Sequence, residues 1–170
     1  MKVLVTGAEG FIGKNLVVRL KEVPDFEVIP AIRSDSESSL RSKLICADAV
    51  IHLAGENRPK NPNEFTLGNT KLTEKLCDLL IDLGHNVPIF FASSIQASLN
   101  NDYGVSKRLA ETSIENYSKL GVNSAAICRL PGVFGKWCKP EYNSVVSTFC
   151  YNTAHGLPIR VDDPTYEIKL

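Results

Sequence analysis

The sequence predicts an α/β fold, a doubly wound parallel sheet with helices on both faces. Three observations predict it. Short, β-branched apolar runs alternate with longer segments of helical periodicity from one end of the chain to the other. Three glycines crowd residues 6–13, TGAEGFIG, where the first run hands over to the first periodic segment. The chain is 170 residues long and 44% apolar, enough for one well-buried domain and too short for two comfortable ones.

The elements follow in order. Lys2–Thr6 reads as a buried strand, and Phe11–Val23 as a helix with Ile12, Leu16, Leu20 and Val23 at helical spacing. Phe26–Ile32 is a second strand. Ser36–Ala47 is a short helix with Leu40, Leu44 and Ile45 on its apolar side, and Ala49–Leu53 is a third strand ended by Ala54-Gly55. Residues Glu56–Asn63, with two prolines, form a loop. A long helix then runs to about Leu83 on a stripe of Phe65, Leu72, Leu76, Leu79, Leu80 and Leu83, with Gly84 as its stop. Val87–Ala92 is a strand, Tyr103–Leu120 a helix with Gly121 just past its end, and Ser124–Leu130 a strand. Ser144–His155 reads as one more helix, and Ile159–Val161 as the start of a strand. Between Ile32 and Asp48 there is room for a helix and no further strand, which leaves the second strand at the sheet edge. No repeat or interdomain linker interrupts the pattern.

Composition excludes several functions. Nineteen basic residues balance nineteen acidic ones, so no global field recruits nucleic acid or an anionic membrane. No apolar run approaches the roughly 18 residues of a spanning helix. The opening MKVLVTG lacks a secretory apolar region and cleavage site, which points to the cytoplasm. Five cysteines with no CxxC spacing read as free thiols in a reducing compartment. His52, His85 and His155 have no metal-ligand spacing and read as structural, so no metal is expected.

The glycine stretch sits strand–turn–helix, the context a phosphate-binding turn requires. Gly7 permits the tight turn, Gly10 lets backbone approach a pyrophosphate, and Gly13 lets helix pack on strand. N–H groups at the helix start, from Phe11, supply donors and partial positive charge to the anion. The spacing TGxxGxxG departs from GxGxxG, yet the ligand it implies is a dinucleotide. The second strand then delivers Arg33 and Ser34. A guanidinium and a hydroxyl suit a 2′-phosphate, so NADPH (NADP) is favoured, although Asp35 next to them is the residue type of an NAD site.

Tyr103 and Lys107 in YGVSK lie one turn apart on one helix face. Ser93-Ser94 closes the preceding strand at the carboxyl edge of the sheet. Free tyrosine, with a pKa of about 10, is a poor acid near neutrality. A neighbouring ammonium is expected to lower that value, so that Tyr103 protonates a carbonyl held by the serine while a nicotinamide delivers hydride.

Together TGAEGFIG, DAVIHLAG (48–55), Asn69 in LGNTKL, FASSIQA and YGVSK resemble the extended short-chain dehydrogenase/reductase superfamily over essentially the whole chain. HLAGENRP, SSIQA and especially FGKWCKPEYNSVVSTFCY (134–151) resemble, within it, the CapF-like enzymes of bacterial capsular polysaccharide and O-antigen synthesis. The resemblance implies a Rossmann-type domain with Ser94, Tyr103 and Lys107 as catalytic triad. It implies that Asn69 completes a tetrad, organising the lysine and a proton-relay water. Gly7, Gly10, Phe11, Ile12 and Gly13 would hold the pyrophosphate and Arg33 the 2′-phosphate. Leu53, Ala54 and Gly55 would pass beneath the adenosine, and the segment at Arg129 and Leu130 would approach the nicotinamide. The implied activity is NADPH-dependent reduction of the 4-keto group of a UDP-2-acetamido-2,6-dideoxy-hexosulose, in a homodimer.

Departures from the family are also legible. Only nine positions separate Ser94 from Tyr103, so the connecting loop is short and either Ser93 or Ser94 points at substrate. Gly132 stands where the family often has a substrate-contacting Asn. Superfamily members run on for over a hundred residues. Residues 1–170 therefore read as the NAD(P)-binding N-terminal part of a longer reductase, whose substrate part begins at about residue 132. Alone they are expected to keep cofactor affinity with poor or no turnover. Trp137 and Cys138 either line the substrate site or plug the domain base. The competing functions are an NAD-retaining epimerase or dehydratase, and a dinucleotide sensor without catalysis. Ile95-Gln96, where a dehydratase carries Asp-Glu, and the intact Ser, Tyr and Lys argue against them.

Overall fold

The computed structural model describes residues 1–120, 124–165, 167 and 168. The chain divides into two compact units, Met1–Arg129 and Leu130–Leu170.

In the first unit, β1 (Lys2–Thr6), β2 (Glu27–Ala31), β3 (Ala49–His52), β4 (Ile89–Ser94) and β5 (Ala125–Leu130) form one sheet in the order β2-β1-β3-β4-β5. β1 pairs in parallel with β2 and β3, and β3 with β4. Parallel neighbours require crossovers. These are α1 (Phe11–Lys21), α2 (Glu37–Ile45), a run made of α3 (Asn63–Phe65), a π turn (Thr66–Lys71) and α4 (Leu72–Asp82), and then α5 (Asp102–Lys119).

The period of two in β1 assigns the helices to faces. Val3 and Val5 pack with Leu16, Val17 and Leu20 of α1. Leu4, between them, joins the larger core with Leu44 of α2, Leu76 and Leu80 of α4, and Ile114 and Tyr117 of α5. Helices therefore cover both faces, as predicted. Leu4, Leu76, Leu80, Ile89 and Phe91 are each at most 1% exposed, and each such side chain contributes about 1.5–3 kcal/mol. The strand order reverses at β1: β2 lies on one side of it and β3 on the other. At that switch point the carboxyl ends of β1 and β3 lie side by side, with Thr6 opposite His52.

Local sequence sets the helix ends. Ser36 Oγ accepts from Ser39 N at 3.1 Å to start α2, and Asn101 Oδ1 accepts from Gly104 N at 2.7 Å to start α5. Gly84, at φ +59°, ends α4 in the left-handed conformation that glycine favours. The second strand does lie at the edge of the sheet. Three expectations need correction. The long helix is interrupted by the π turn around Asn69. Ile45 is 56% exposed rather than on an apolar face. Ile159–Val161 is exposed coil, because a strand exists only against a paired neighbour and none is present among the described residues. Gly121, expected just past a helix end, lies outside the described residues.

In the second unit, Ser144 Oγ accepts from Ser147 N at 3.3 Å to cap α6 (Val145–Ala154). Trp137 and Glu141 adopt positive φ values of 67° and 53°. Lys136 Nζ lies 4.6 Å from the Trp137 ring centroid. No described helix is long and apolar enough to cross a membrane.

Candidate active site

The turn between β1 and α1 is built by close approach. Gly7 holds φ +67°, and a Cβ there would sit 2.8 Å from Ala54 N. A Cβ on Gly13 would lie 2.1 Å from Gly7 O, so no other residue lets α1 sit this close to β1. α1 begins at Phe11 with Gly10 as a cap that offers no side-chain acceptor, and no acidic residue lies in its first turn. The N–H groups of Phe11, Ile12 and Gly13 thus present donors and the positive end of the helix dipole without a competing carboxylate. These residues fit a dinucleotide pyrophosphate. Just past β3, Leu53 N and Ala54 N donate to Thr6 Oγ1 at 3.2 and 3.1 Å, which holds the Leu53–Gly55 segment against the turn.

At the end of β4, the two adjacent serines face opposite sides of the strand. Ser93 Oγ is buried and donates to Glu111 Oε1 at 2.5 Å. Ser94 hydrogen-bonds the Tyr103 phenol and accepts from Gln96 N at 3.2 Å, capping a 3₁₀ turn (Ile95–Ser98) that shortens the route into α5. The 3₁₀ turn lies so close to α5 that a Cβ on Gly104 would meet Gln96 O at 2.2 Å. Phe65 leans on Tyr103, with ring centroids 5.7 Å apart.

One turn further along α5, Lys107 is 5% exposed; its Nζ donates to Ala92 O at 2.9 Å and lies 4.7 Å from the Phe91 ring centroid. Burial holds its pKa down to about 8, against the opposing pull of the Glu111 carboxylate. Tyr103 behaves otherwise than expected. Burial pushes its pKa above the usual phenol value, and only the Ser94 hydrogen bond pulls it back. The expected lowering by Lys107 is absent because desolvation of the phenolate dominates and the ammonium is directed at Ala92 O.

Asn69 is 1% exposed, in the π turn. Its Oδ1 accepts from Glu56 N at 2.9 Å, and its Nδ2 donates to Glu56 O at 2.8 Å and to Ser106 Oγ at 2.9 Å. A Cβ on Gly55 would lie 2.6 Å from Asn69 Oδ1 and 3.4 Å from Lys107 Nζ, so both groups converge on that bare backbone. A buried chain of hydrogen bonds ties this π turn to the glycine turn. Thr73 Oγ1 donates to Asn69 O at 2.7 Å and so accepts from His52 Nε2 at 2.9 Å, leaving His52 Nδ1 to accept from Thr6 Oγ1 at 2.6 Å. Burial, with the Lys107 charge adding to it, holds the His52 pKa down to about 3, so the ring is neutral and structural.

Arg33 and Ser34 are exposed beyond β2, and the Arg33 guanidinium reaches to 3.7 Å from a Glu56 carboxylate oxygen. Asp35, the residue that points toward NAD in the bare sequence, is turned away. It accepts from Lys43 Nζ at 2.6 Å and from Ile32 N at 2.8 Å, and these contacts hold its pKa below the usual carboxylate value. Arg129, expected near a cofactor, directs its guanidinium at Glu111 instead, at 2.9 and 2.6 Å. Leu130 follows it at the end of β5. Sequence reasoning passed over Glu111 and Glu56. Glu111 was findable: it stands four residues after Lys107, a carboxylate on the same helical stripe as Ala110, Ile114 and Tyr117.

Three comparisons bear on this arrangement. The profile of the NAD dependent epimerase/dehydratase family matches residues 3–165. The whole chain is 46% identical to a UDP-2-acetamido-2,6-beta-L-arabino-hexul-4-ose reductase of Pseudomonas aeruginosa, and it spans 46% of that protein's length. Among solved structures, the capsular polysaccharide assembling protein CapF from Staphylococcus aureus is 42% identical with a TM-score of 0.85, over 99% of this chain and 46% of that one. A UDP-glucuronic acid 4-epimerase from Bacillus cereus in complex with NAD has a TM-score of 0.82 over 95% of this chain and 66% of that one, at 19% identity, a likeness of fold.

Proposed function

The chain belongs to the NAD dependent epimerase/dehydratase family, and we propose that it is the dinucleotide-binding part of an NADPH-dependent reductase acting on a 4-keto UDP-sugar. The substrate in this reading is a UDP-2-acetamido-2,6-dideoxy-hexos-4-ulose, and the product feeds capsular polysaccharide or O-antigen synthesis in the cytoplasm. The observation that carries it is that Ser94, which meets the Tyr103 phenol, and buried Lys107, one turn further along α5, lie at the carboxyl edge of the sheet that also bears the glycine turn. The name of the Pseudomonas relative supports the substrate class, and that of the Staphylococcus protein the link to capsular polysaccharide. Residues from about 132 onward begin the substrate-binding part. A homodimer belongs to the same reading, and Val105 and Leu109, 37% and 48% exposed on α5, offer it apolar surface.

The residues divide the chemistry as follows. Bound reduced nicotinamide supplies the hydride. Ser94 holds the carbonyl oxygen, and Tyr103, kept protonated by burial, donates its proton to that oxygen as negative charge develops. In this reading the Lys107 ammonium leaves Ala92 O for the phenolate left behind, an interaction made only once the proton has been transferred. Asn69 keeps the π turn and the Gly55 backbone in register with Lys107. At the far end, Arg33 would take a 2′-phosphate through charge-assisted hydrogen bonds.

Titrating the chain with NADPH and with NADH tests this. The expected result is at least about tenfold tighter binding of NADPH, a difference of about 1.4 kcal/mol, lost in Arg33→Ala. Equal affinities would remove Arg33 from its role. Co-purifying, tightly held NAD would instead favour a retaining epimerase, a second reading that the Glu56 carboxylate beside Arg33 supports.

A further inference from the structure

Glu111 is a buried carboxylate that the proposed chemistry does not use. It is 4% exposed, and its oxygens are held from two strands: Ser93 of β4 donates to Oε1, and the Arg129 guanidinium of β5 grips Oε1 and Oε2 together. Burial pushes its pKa up, but the Arg129 and Ser93 hydrogen bonds and the Arg129 and Lys107 charges outweigh that and leave it below the usual carboxylate value. It is therefore an anion at neutral pH. A paired carboxylate in such a place does little for net stability, since its desolvation offsets most of the attraction. Its position is the informative fact, because it lies one turn from Lys107 on α5 and two turns from Tyr103.

We propose that Glu111 is a positioning residue for the reductase site: clamped by Ser93 and Arg129, it fixes the electric field at the Lys107 ammonium and the seating of α5 on β4 and β5. The titratable and charged groups around Lys107 are few. Tyr103 and Glu111 lie on its own helix, and neutral His52 faces it from β3. Around Glu111 stand Lys107, Arg129 and Ser93, and Glu115 acts on Arg129. Within this group Glu111 is the anion that keeps a desolvated Lys107 charged, and Arg129 moderates it. Ser93 and Ser94 divide the labour of one strand end, one holding the field-setting carboxylate and one facing Tyr103. The inference rests on Lys107 serving the proposed site.

The experiment is an NMR titration of the lysine side chains of this chain, with Lys107 assigned by Lys107→Arg. Its midpoint is expected near 8. Glu111→Gln should move it down by about one pH unit, the effect of losing a nearby opposite charge. Arg129→Met should move it up, and Arg129→Lys, which keeps the charge and loses the fork, should leave it in place. A merely structural clamp predicts otherwise: loosening α5 hydrates Lys107 and carries every variant toward the ordinary lysine value. A rise or no change in Glu111→Gln overturns the proposal. If that variant does not fold, Arg129→Met and Arg129→Lys moving alike overturns it. The expected pattern in a chain that binds neither NADPH nor NADH would leave Glu111's field assignment standing and sink the reductase reading instead.

Discussion

Replacing Lys107 with Met should stabilise this fold at pH 7 while removing its proposed chemistry. Burial takes Lys107 from 10.5 to about 8. At about 1.4 kcal/mol per pH unit, the folded state therefore opposes its charge by about 3 kcal/mol. Methionine has a similar length and no charge, but it abandons the hydrogen bond to Ala92 O, a loss of about 1 kcal/mol. The net expectation is a gain of about 2 kcal/mol. Its pH dependence is distinctive. Below pH 8 the lysine is charged in both folded and unfolded chains, and the whole penalty acts. Between about 8 and 10.5 only the unfolded chain still binds the proton, so wild-type stability rises with pH and the advantage of methionine fades. Urea unfolding of both proteins from pH 6 to pH 10 measures the difference directly, and subtraction cancels the other titrating groups. A methionine variant less stable at pH 7, or a gap that persists unchanged to pH 10, would refute the argument that desolvation governs this residue.

Four other outcomes are expected. Gly13→Ala should cost several kcal/mol, or displace α1 and abolish dinucleotide binding, because its methyl would meet Gly7 O at 2.1 Å; thermal melting and NADPH titration check both. In a full-length reductase carrying this chain, Ser94→Ala should lower kcat by about 10²-fold, as loss of a donor at a developing oxyanion does. Ser93→Ala should lower kcat less than Ser94→Ala does and lower stability by about 1–2 kcal/mol, since Glu111 loses a buried partner. The His52 ring should show no NMR titration from pH 5 to pH 8; a midpoint inside that range would mean that water reaches a group buried between β3, α4 and Phe91.

Bare residue order made the framework legible. Local patterns carry it: β-branched runs, helical stripes, the glycine turn and a Tyr and Lys one turn apart. Each depends on chain neighbours within about a dozen positions, where backbone geometry leaves few alternatives. Family motifs such as YGVSK and HLAG carried the expectations for a cofactor and a proton donor in the same way. Other features depended on which distant segments meet. Ser93 and Ser94 are indistinguishable in sequence; Glu111 and Arg129, 18 residues apart, give one of them a buried partner and leave the other facing Tyr103. Asp35 looked like a ribose ligand until Lys43 took it. The π turn at Asn69 shows no mark in composition, and it exists where Asn69 locks onto Glu56 and Ser106. The acidity of Tyr103 went opposite to expectation, because proximity in sequence announces the ammonium while desolvation comes from Phe65 and the surrounding pack. Spacing along a helix specifies which groups are neighbours; how strongly each holds its proton is decided by the water that the tertiary fold excludes.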